Sequence, residues 1–409
     1  MIHRKYNHKK DKQAVHTIWS ETGWIKNDNY EPMDLLLRKC RAIVADINGR
    51  AECLVNNWQG DMIYQNRKVR FSCVAGVTTS LVARKQNLAG KLTAEAIALD
   101  AAGGAEISGL GIFDQGFYNR LGFGNGTYEH MVTFSPSILN VDFVPRVPIR
   151  LGKKDWRAIH RARLNKMRLH GSCAADIPEA TGSEMFKTIG GFGLGYKNNK
   201  GEITHFIWMG GKGSDHGPFH VWAYAYRTYD QFLELLALIK SFGEQVHMMF
   251  IIEPPNIQFQ DFLDKPFRQR ALTQKSQFEN LIRAAAWWQM RILDLRGCVG
   301  YTRLDCEDIK FNLKLYDPIE RFLDKDAPWR GITGNYIVTF GRKSNVKKGV
   351  DKSLPTLDTD VGAFTRLWLG CATASSLAVS DVFAAPDSLI MKLDRGLSIM
   401  PTPHTDWLF

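Results

Sequence analysis

Two short segments hold side chains whose types and spacing could do chemistry. The first, Ile112-Phe113-Asp114-Gln115-Gly116-Phe117-Tyr118-Asn119-Arg120-Leu121-Gly122-Phe123-Gly124, sets a tyrosine between glycines. Such a turn can present a phenol into a cleft at the ends of strands, where ligands sit in open α/β sheets. The plainer reading of Tyr118 is an aromatic packing turn. The second segment, Arg84-Lys85-Gln86-Asn87-Leu88-Ala89-Gly90-Lys91-Leu92, joins an expected strand to an expected helix. A strand-to-helix turn aims unpaired N–H groups and the positive helix end at one point. A pyrophosphate fits there, and Gly90 lets the backbone come close. Its plainer reading is a helix that starts after a strand.

The elements that must position these segments follow from periodicity. Ala42 to Ile47 and Val69 to Val82 are rich in β-branched and aromatic residues and read as strands. Leu88, Leu92, Ala96 and Leu99 share a helical face, and Gly103-Gly104 ends that helix. Ala105 to Ile112 reads as the next strand. The same grammar returns further on. Gly201 to Met209 and Phe219 to Tyr226 read as strands, Phe232 to Phe242 as an apolar helical stripe, and Val246 to Ile252 as a buried strand. Past Trp287-Trp288, which reads as core or domain-interface packing, Phe311 to Tyr316 and Tyr336 to Phe340 read as strands and Val361 to Trp368 as a helix. This alternation predicts mixed α/β layers. Proline-marked connectors near residue 145 and a polar stretch near 285 predict three domains: 1–145, 146–285 and 286–409.

Composition narrows the function classes. The chain has 409 residues, 44% of them hydrophobic and 23% charged, which excludes wholesale disorder. The net charge of +11 suits an anionic partner, but no basic-aromatic stripe or recognisable module accompanies it, so nucleic-acid binding is not expected. Seven scattered cysteines without C-x-x-C spacing predict reduced thiols rather than disulfides or a zinc cage. His205, His216 and His220 lack partners at ligand spacing, so no metal site is expected. Gly191 to Gly195 reads as a glycine-rich strand rather than a dinucleotide fingerprint. No signal peptide is visible, and Val361 to Val379 is interrupted by Arg366, so a cytoplasmic chain with no membrane span is expected.

Taken together, the segments resemble the GNAT acetyltransferases, and more narrowly the enhanced intracellular survival (Eis) family. Gly76-Val77-Thr78-Thr79-Ser80-Leu81-Val82 followed by Gly90 is similar to the family's cofactor strand and pyrophosphate turn. Phe117 to Gly124 is similar to its Tyr-x-Arg-x-Gly-aromatic-Gly turn. His220-Val221-Trp222 with Ala225 to Thr228 resembles its second, degenerate GNAT-like domain. Met290 to Asp294 and Asp360 to Gly370 resemble its sterol carrier protein-like domain, and Pro401 to Phe409 its aromatic-ended tail. Asn87 stands where GNAT enzymes usually carry Gln or Arg, and Leu408 stands where an acidic residue would help hold a polycation.

The resemblance implies two GNAT-like mixed-sheet domains followed by a sterol carrier protein-like α/β domain. It implies transfer of an acetyl group from acetyl-CoA to a primary amine of a small molecule or peptide, without a metal. Ser80, Leu81, Val82, Asn87, Leu88, Ala89, Gly90 and Lys91 would bind the cofactor, with the Val82 N–H polarising the thioester carbonyl. Tyr118 would protonate the departing thiolate, and the α-carboxylate of Phe409 would accept the amine proton. Trp24 would wall the acceptor cleft. Part of the family is hexameric, so a homo-oligomer is also implied. The alternative reading is an inactive GNAT-like scaffold that holds a ligand in its last domain.

Overall fold

A computed structural model describes residues 2–25, 28–211 and 216–407. Three mixed sheets organise the chain. The first is built mainly from β1 (Ile2–Lys5), β2 (Arg41–Ile47), β3 (Arg50–Tyr64), β4 (Arg67–Thr79), β5 (Ile107–Gly111) and β6 (Gly124–Asn125). The second contains β7 (Glu129–Phe134), β8 (Ile149–Leu151), β10 (Phe192–Lys197), β11 (Ile203–Gly210), β12 (Phe219–Ala225), β13 (Met249–Ile252) and β14 (Leu281–Ala285). The remaining strands of the first two-thirds, β9 (Cys173–Ala175) and β15 (Trp288–Ile292), join the first sheet. The third sheet contains β16 (Ile309–Tyr316), β17 (Gly334–Phe340), β18 (Asn345–Lys348), β19 (Thr356–Asp360) and β20 (Phe383–Ala384).

The sheets exchange strands across the expected boundaries at 145 and 285. β7 precedes residue 145 yet sits in the second sheet, between β13 and β14. β15 follows residue 285 yet lies between β5 and β6 in the first sheet. β9 pairs with the far half of β3. The segment Leu281 to Asp294 therefore splits into two adjacent strands that serve different sheets.

Helices cover these sheets: α1 (His8–Glu21), α2 (Glu31–Leu37), α3 (Leu88–Ala102), α4 (Trp156–Leu164), α5 (Pro178–Lys187) and α6 (Tyr229–Lys240) on the first two, and α9 (Val361–Leu369), following α7 (Pro266–Thr273) and α8 (Leu295–Tyr301), at the third. Their ends are fixed by local chemistry. The Asn7 side chain accepts from the N–H groups of Lys9 and Lys10, Thr228 caps α6, and Asp360 caps α9, which stops at the left-handed Gly370. α3 buries Leu88, Leu92 and Ala96 against the first sheet. Among the described residues, no helix is long and apolar enough to cross a membrane.

Two local expectations need correction. β4 stops at Thr79 instead of running to Val82; Leu81–Ala83 is a short 3-10 turn. The 15-residue β3 has no counterpart in the sequence reading, because its polar Asn56, Asn57, Gln59 and Asp61 break the apolar pattern. Asn56 and Asn57 are buried, and Asn57 has a use there. Asn57 and Ser72 donate to the Asp100 carboxylate, which also pairs with Arg41, and this ties β2, β3, β4 and α3 together.

Candidate active site

β4 and β5 run parallel, and their pairing lasts only from Phe71–Ile107 to Cys73–Gly109. Beyond that point the two strands part. β4 remains laddered to β3 on its other side as far as Thr79, and β5 remains laddered to β15 as far as Gly111. The edge of β4 from Val74 to Thr79 thus faces a wedge without ladder partners for its N–H and C=O groups. A half-buried backbone edge of this kind can hydrogen-bond an occupant of the wedge. The parting coincides with a register shift opposite Leu54 to Asn56 and with Gly76 at φ +60°, where a Cβ would sit 2.2 Å from Asn56 Nδ2. Only glycine fits there.

The wedge opens into a cavity of about 1090 Å³. Val74 to Thr79 form one wall and Gly111, Phe113, Asp114, Phe117 and Tyr118 another. The cavity continues between the first two sheets to Trp24 and Met33 on one side and Glu184, Trp208, His220 and Trp222 on the other. Tyr118 is nearly buried, edge-on to Phe117 and Phe123, and among the described residues its hydroxyl has no hydrogen-bond partner. Burial pushes its pKa up to about 12, so it is a weaker acid than the ordinary phenol expected from sequence. Its loop is held from three sides. Asn119 accepts from the Gly116 N–H and from Gln289, and donates to the Phe123 carbonyl. Arg291 of β15, fully buried, donates to the Leu121 carbonyl and pairs with Asp317 at 2.6 Å.

The expected cofactor residues divide between the cavity and its surroundings. Ala89 lines the cavity, as does Arg84. Asn87 precedes α3 in a left-handed conformation, and its side chain makes no cap, which leaves the first-turn N–H groups of α3 open to an anion. Gly90 is buried, and a Cβ there would meet Asn87 Oδ1 at 3.0 Å and the Phe322 ring at 3.1 Å. Leu88 belongs to the core, and Lys91 is exposed. Ser80, Leu81 and Val82 are not on the cavity wall. The Ser80 N–H donates to the Glu52 carbonyl, the Leu81 N–H to the Glu21 carboxylate, and Val82 is 76% exposed. Ending β4 early, at Thr79, is what moves Val82 out of the wedge. Trp24, 42% exposed, stands on the cavity wall.

Phe409 lies outside the described residues, but the chain leading to it is well fixed. Thr127 donates to the Pro403 carbonyl, and the His404 N–H to the His170 carbonyl. The Thr405 N–H and hydroxyl donate to Glu129. Asp406 accepts from Ser172 and pairs with Lys166 at 3.0 Å. Trp407 is buried against Trp58 and Arg163, both of which line the cavity.

Sequence reasoning missed the α4 and α5 contribution. Arg163 donates to Glu184 at 2.6 Å and to Thr181. Burial raises the Glu184 carboxyl, and Arg163 opposes that shift. The Arg161–Arg163 pair at the end of α4 was the available signal, but cations at a helix C-terminus also answer the helix dipole. Trp287 and Trp288 both donate their indole N–H groups to Glu129. Among the described residues, no cluster of His, Cys, Asp or Glu is arranged to hold a metal, and the seven cysteines are unbridged.

Solved structures share this architecture from end to end. A GCN5-related N-acetyltransferase from Anabaena variabilis ATCC 29413 superposes with a TM-score of 0.77 at 14% identity, covering 100% of both chains. A probable N-acyltransferase from Enterococcus faecalis V583 gives 0.79 at 15% identity, covering 100% of this chain and 99% of that one. The fold is therefore that of the GCN5-related N-acetyltransferases. At the same whole-chain scale it matches Eis1 from Mycobacterium abscessus, with a TM-score of 0.76 at 11% identity and 100% of both chains covered. No family model and no curated protein matches the sequence.

Proposed function

We propose that this protein is an N-acetyltransferase that moves an acetyl group from acetyl-CoA to a primary amine. The observation that carries this reading is the parting of β4 and β5 beyond Cys73 and Gly109, with Tyr118 on the wall of the resulting cavity. The donor set suits a long anionic thioester. The unpartnered β4 edge can pair with an amide-bearing arm, while the open first turn of α3 and Arg84 can take the pyrophosphate. Acetyl-CoA would supply the activated acyl carbon.

The chain's own groups then have definite tasks. An N–H of the Val74–Thr79 edge, rather than that of Val82, donates to the carbonyl as charge develops on it. The amine nitrogen bonds to the acyl carbon and the C–S bond breaks. The Tyr118 hydroxyl donates to the departing sulfur. With its pKa near 12, the phenol is protonated at every working pH, and the amine's own proton balances the thiol. The Phe409 carboxylate, in the role the resemblance implies for it, takes that proton from the nitrogen, and the proton returns to the Tyr118 oxygen, so thiol and amide form with no net proton released. The inward run of Pro403 to Trp407 supports this assignment.

The third sheet is read as the sterol carrier protein-like unit, with a structural role: Asp317 anchors Arg291, and Phe322 packs on Gly90. The acceptor is a small-molecule or peptide amine, and we read the chain as a cytoplasmic protein that forms homo-oligomers. One observation favours a second reading, an inactive scaffold: Glu21 already occupies the Leu81 N–H. Calorimetric titration with CoA, combined with acetyl transfer by Tyr118→Phe, separates the two. CoA binding with transfer lost in the variant supports the enzyme. Undetectable CoA binding overturns it.

A further inference from the structure

The arm of the cavity beyond Tyr118 has a chemistry of its own. Its walls are apolar and aromatic, with Met33, Leu36 and Trp58 from the first sheet's side facing Met185, Trp208 and Trp222 from the second. The charged groups along this arm are Arg163, Glu184 and Lys187. Glu184, the carboxylate among these described groups, is already paired with Arg163 at 2.6 Å, and Asp114, the cavity's other described carboxylate, is exposed on the Tyr118 wall. The Lys187 ammonium makes no hydrogen bond or ion pair among the described residues. Among the described residues the arm's side chains therefore carry a net positive charge, and the carboxylate that the proposed mechanism adds, that of Phe409, is engaged by the reacting amine. Each further cation brought there would be desolvated without compensation. Open polar side chains here include Ser183, whose buried hydroxyl has no partner among the described residues, and His220, whose ring stacks on Trp222 at 5.4 Å and on Phe250 at 5.0 Å and whose nitrogens have no partner among the described residues. Burial lowers its pKa, so at neutral pH it offers one lone pair to an N–H.

We infer that the acceptor is a primary amine carried on an aromatic or otherwise apolar body with no second cationic group, seated between Trp222 and the apolar wall of α2 and β3. This rests on the acyl-transfer reading and adds its substrate class. The net positive arm also favours the neutral amine, which is the nucleophilic form.

The test compares phenethylamine with spermidine as acceptors for the full-length protein. The expected kcat/KM favours phenethylamine by about 10-fold to 100-fold. Trp222 is 45% exposed, so Trp222→Ala should fold; it should raise the KM for phenethylamine about tenfold. Lys187→Glu, also on an exposed side chain, adds a carboxylate to the arm and should improve spermidine about fivefold relative to phenethylamine. Equal or faster transfer to spermidine, or a Trp222→Ala variant with unchanged KM, overturns the inference and leaves the acyl-transfer reading intact. If CoA does not bind, the acyl-transfer reading falls instead. Calorimetric titration of the same protein with each amine then decides the cavity's preference: tighter phenethylamine supports it, and equal or tighter spermidine overturns it.

Discussion

The guanidinium of Arg163 lies 3.5 Å over the ring of Trp407, joining α4 to the tail at the cavity wall. The same guanidinium pairs with Glu184, so removing it leaves a half-buried carboxylate without its partner. Arg163→Met should cost about 3 kcal/mol, the scale for breaking one side of a buried pair. Adding Glu184→Gln should recover part of that loss. Thermal unfolding of the two single variants and the double variant checks this. Additive losses would mean the pair is not coupled.

In the proposed transfer, Tyr118 should set the alkaline behaviour. Its phenol carries the proton below about pH 12, so a rate that depends on that proton persists as pH rises to 10. Tyr118→Phe should lower transfer about 100-fold or more while CoA affinity stays the same. An alkaline decline in the wild-type rate centred between pH 9 and 10 would contradict this assignment to the phenol.

In the proposed cofactor site, Gly90 should govern how closely a phosphate can approach α3. A valine there drives its branched side chain against Asn87 and Phe322. Gly90→Val should weaken CoA binding by about tenfold, the size of one lost close contact to an anion. Calorimetry measures it, with circular dichroism as the check that the fold is kept. Unchanged affinity would place the pyrophosphate elsewhere.

His160 sits beside Trp407 and Thr181, and its pKa is lowered to about 4 by burial, then by Arg163 and Arg161. The unfolded chain binds this proton near pH 6.5 and the folded protein only near 4. Stability is thus full above pH 6.5, falls as pH drops toward 4 and levels off below. The loss reaches at most about 3 kcal/mol. His160→Gln should flatten its share of that slope in thermal unfolding curves taken from pH 7 to 4. An unchanged slope would show that His160 is protonated without penalty.

Glu129 collects donors from Trp287, Trp288 and Thr405. Glu129→Leu removes the acceptor shared by β7, β15 and the tail. Amide exchange at 404–407 should quicken, while exchange in α3 stays slow. Mass spectrometry of exchanged peptides reads both. Unchanged tail protection would mean that Lys166 and Ser172 suffice to hold it.

Much of the scaffold was legible from periodicity alone. The apolar stripe of α3, the glycine stop after it, and β16, β17 and α9 all appear where alternation and spacing place them. The Tyr118 turn was legible because glycines punctuate it. What escaped was set by tertiary contact. β3 is polar along its middle because Asn57 serves a buried Asp100. Just past the end of β4, the Leu81 N–H donates to Glu21, sixty residues earlier in the chain, a contact that no local pattern announces. The acceptor wall came from α4 and α5, whose residues look ordinary until the second sheet is laid against the first.

The exchange of β7 and β15 fixes the order in which this molecule can be finished as it is made. With β15 lying between β5 and β6, the first sheet stays open until residue 292 has been synthesised. The Tyr118 loop waits longer, because Arg291 finds its carboxylate only when Asp317 arrives. The tail that packs on Trp58 is made last. A ribosome-bound chain stalled before residue 288 would therefore carry every cavity-lining residue named above without β15, the strand that joins β5 to β6.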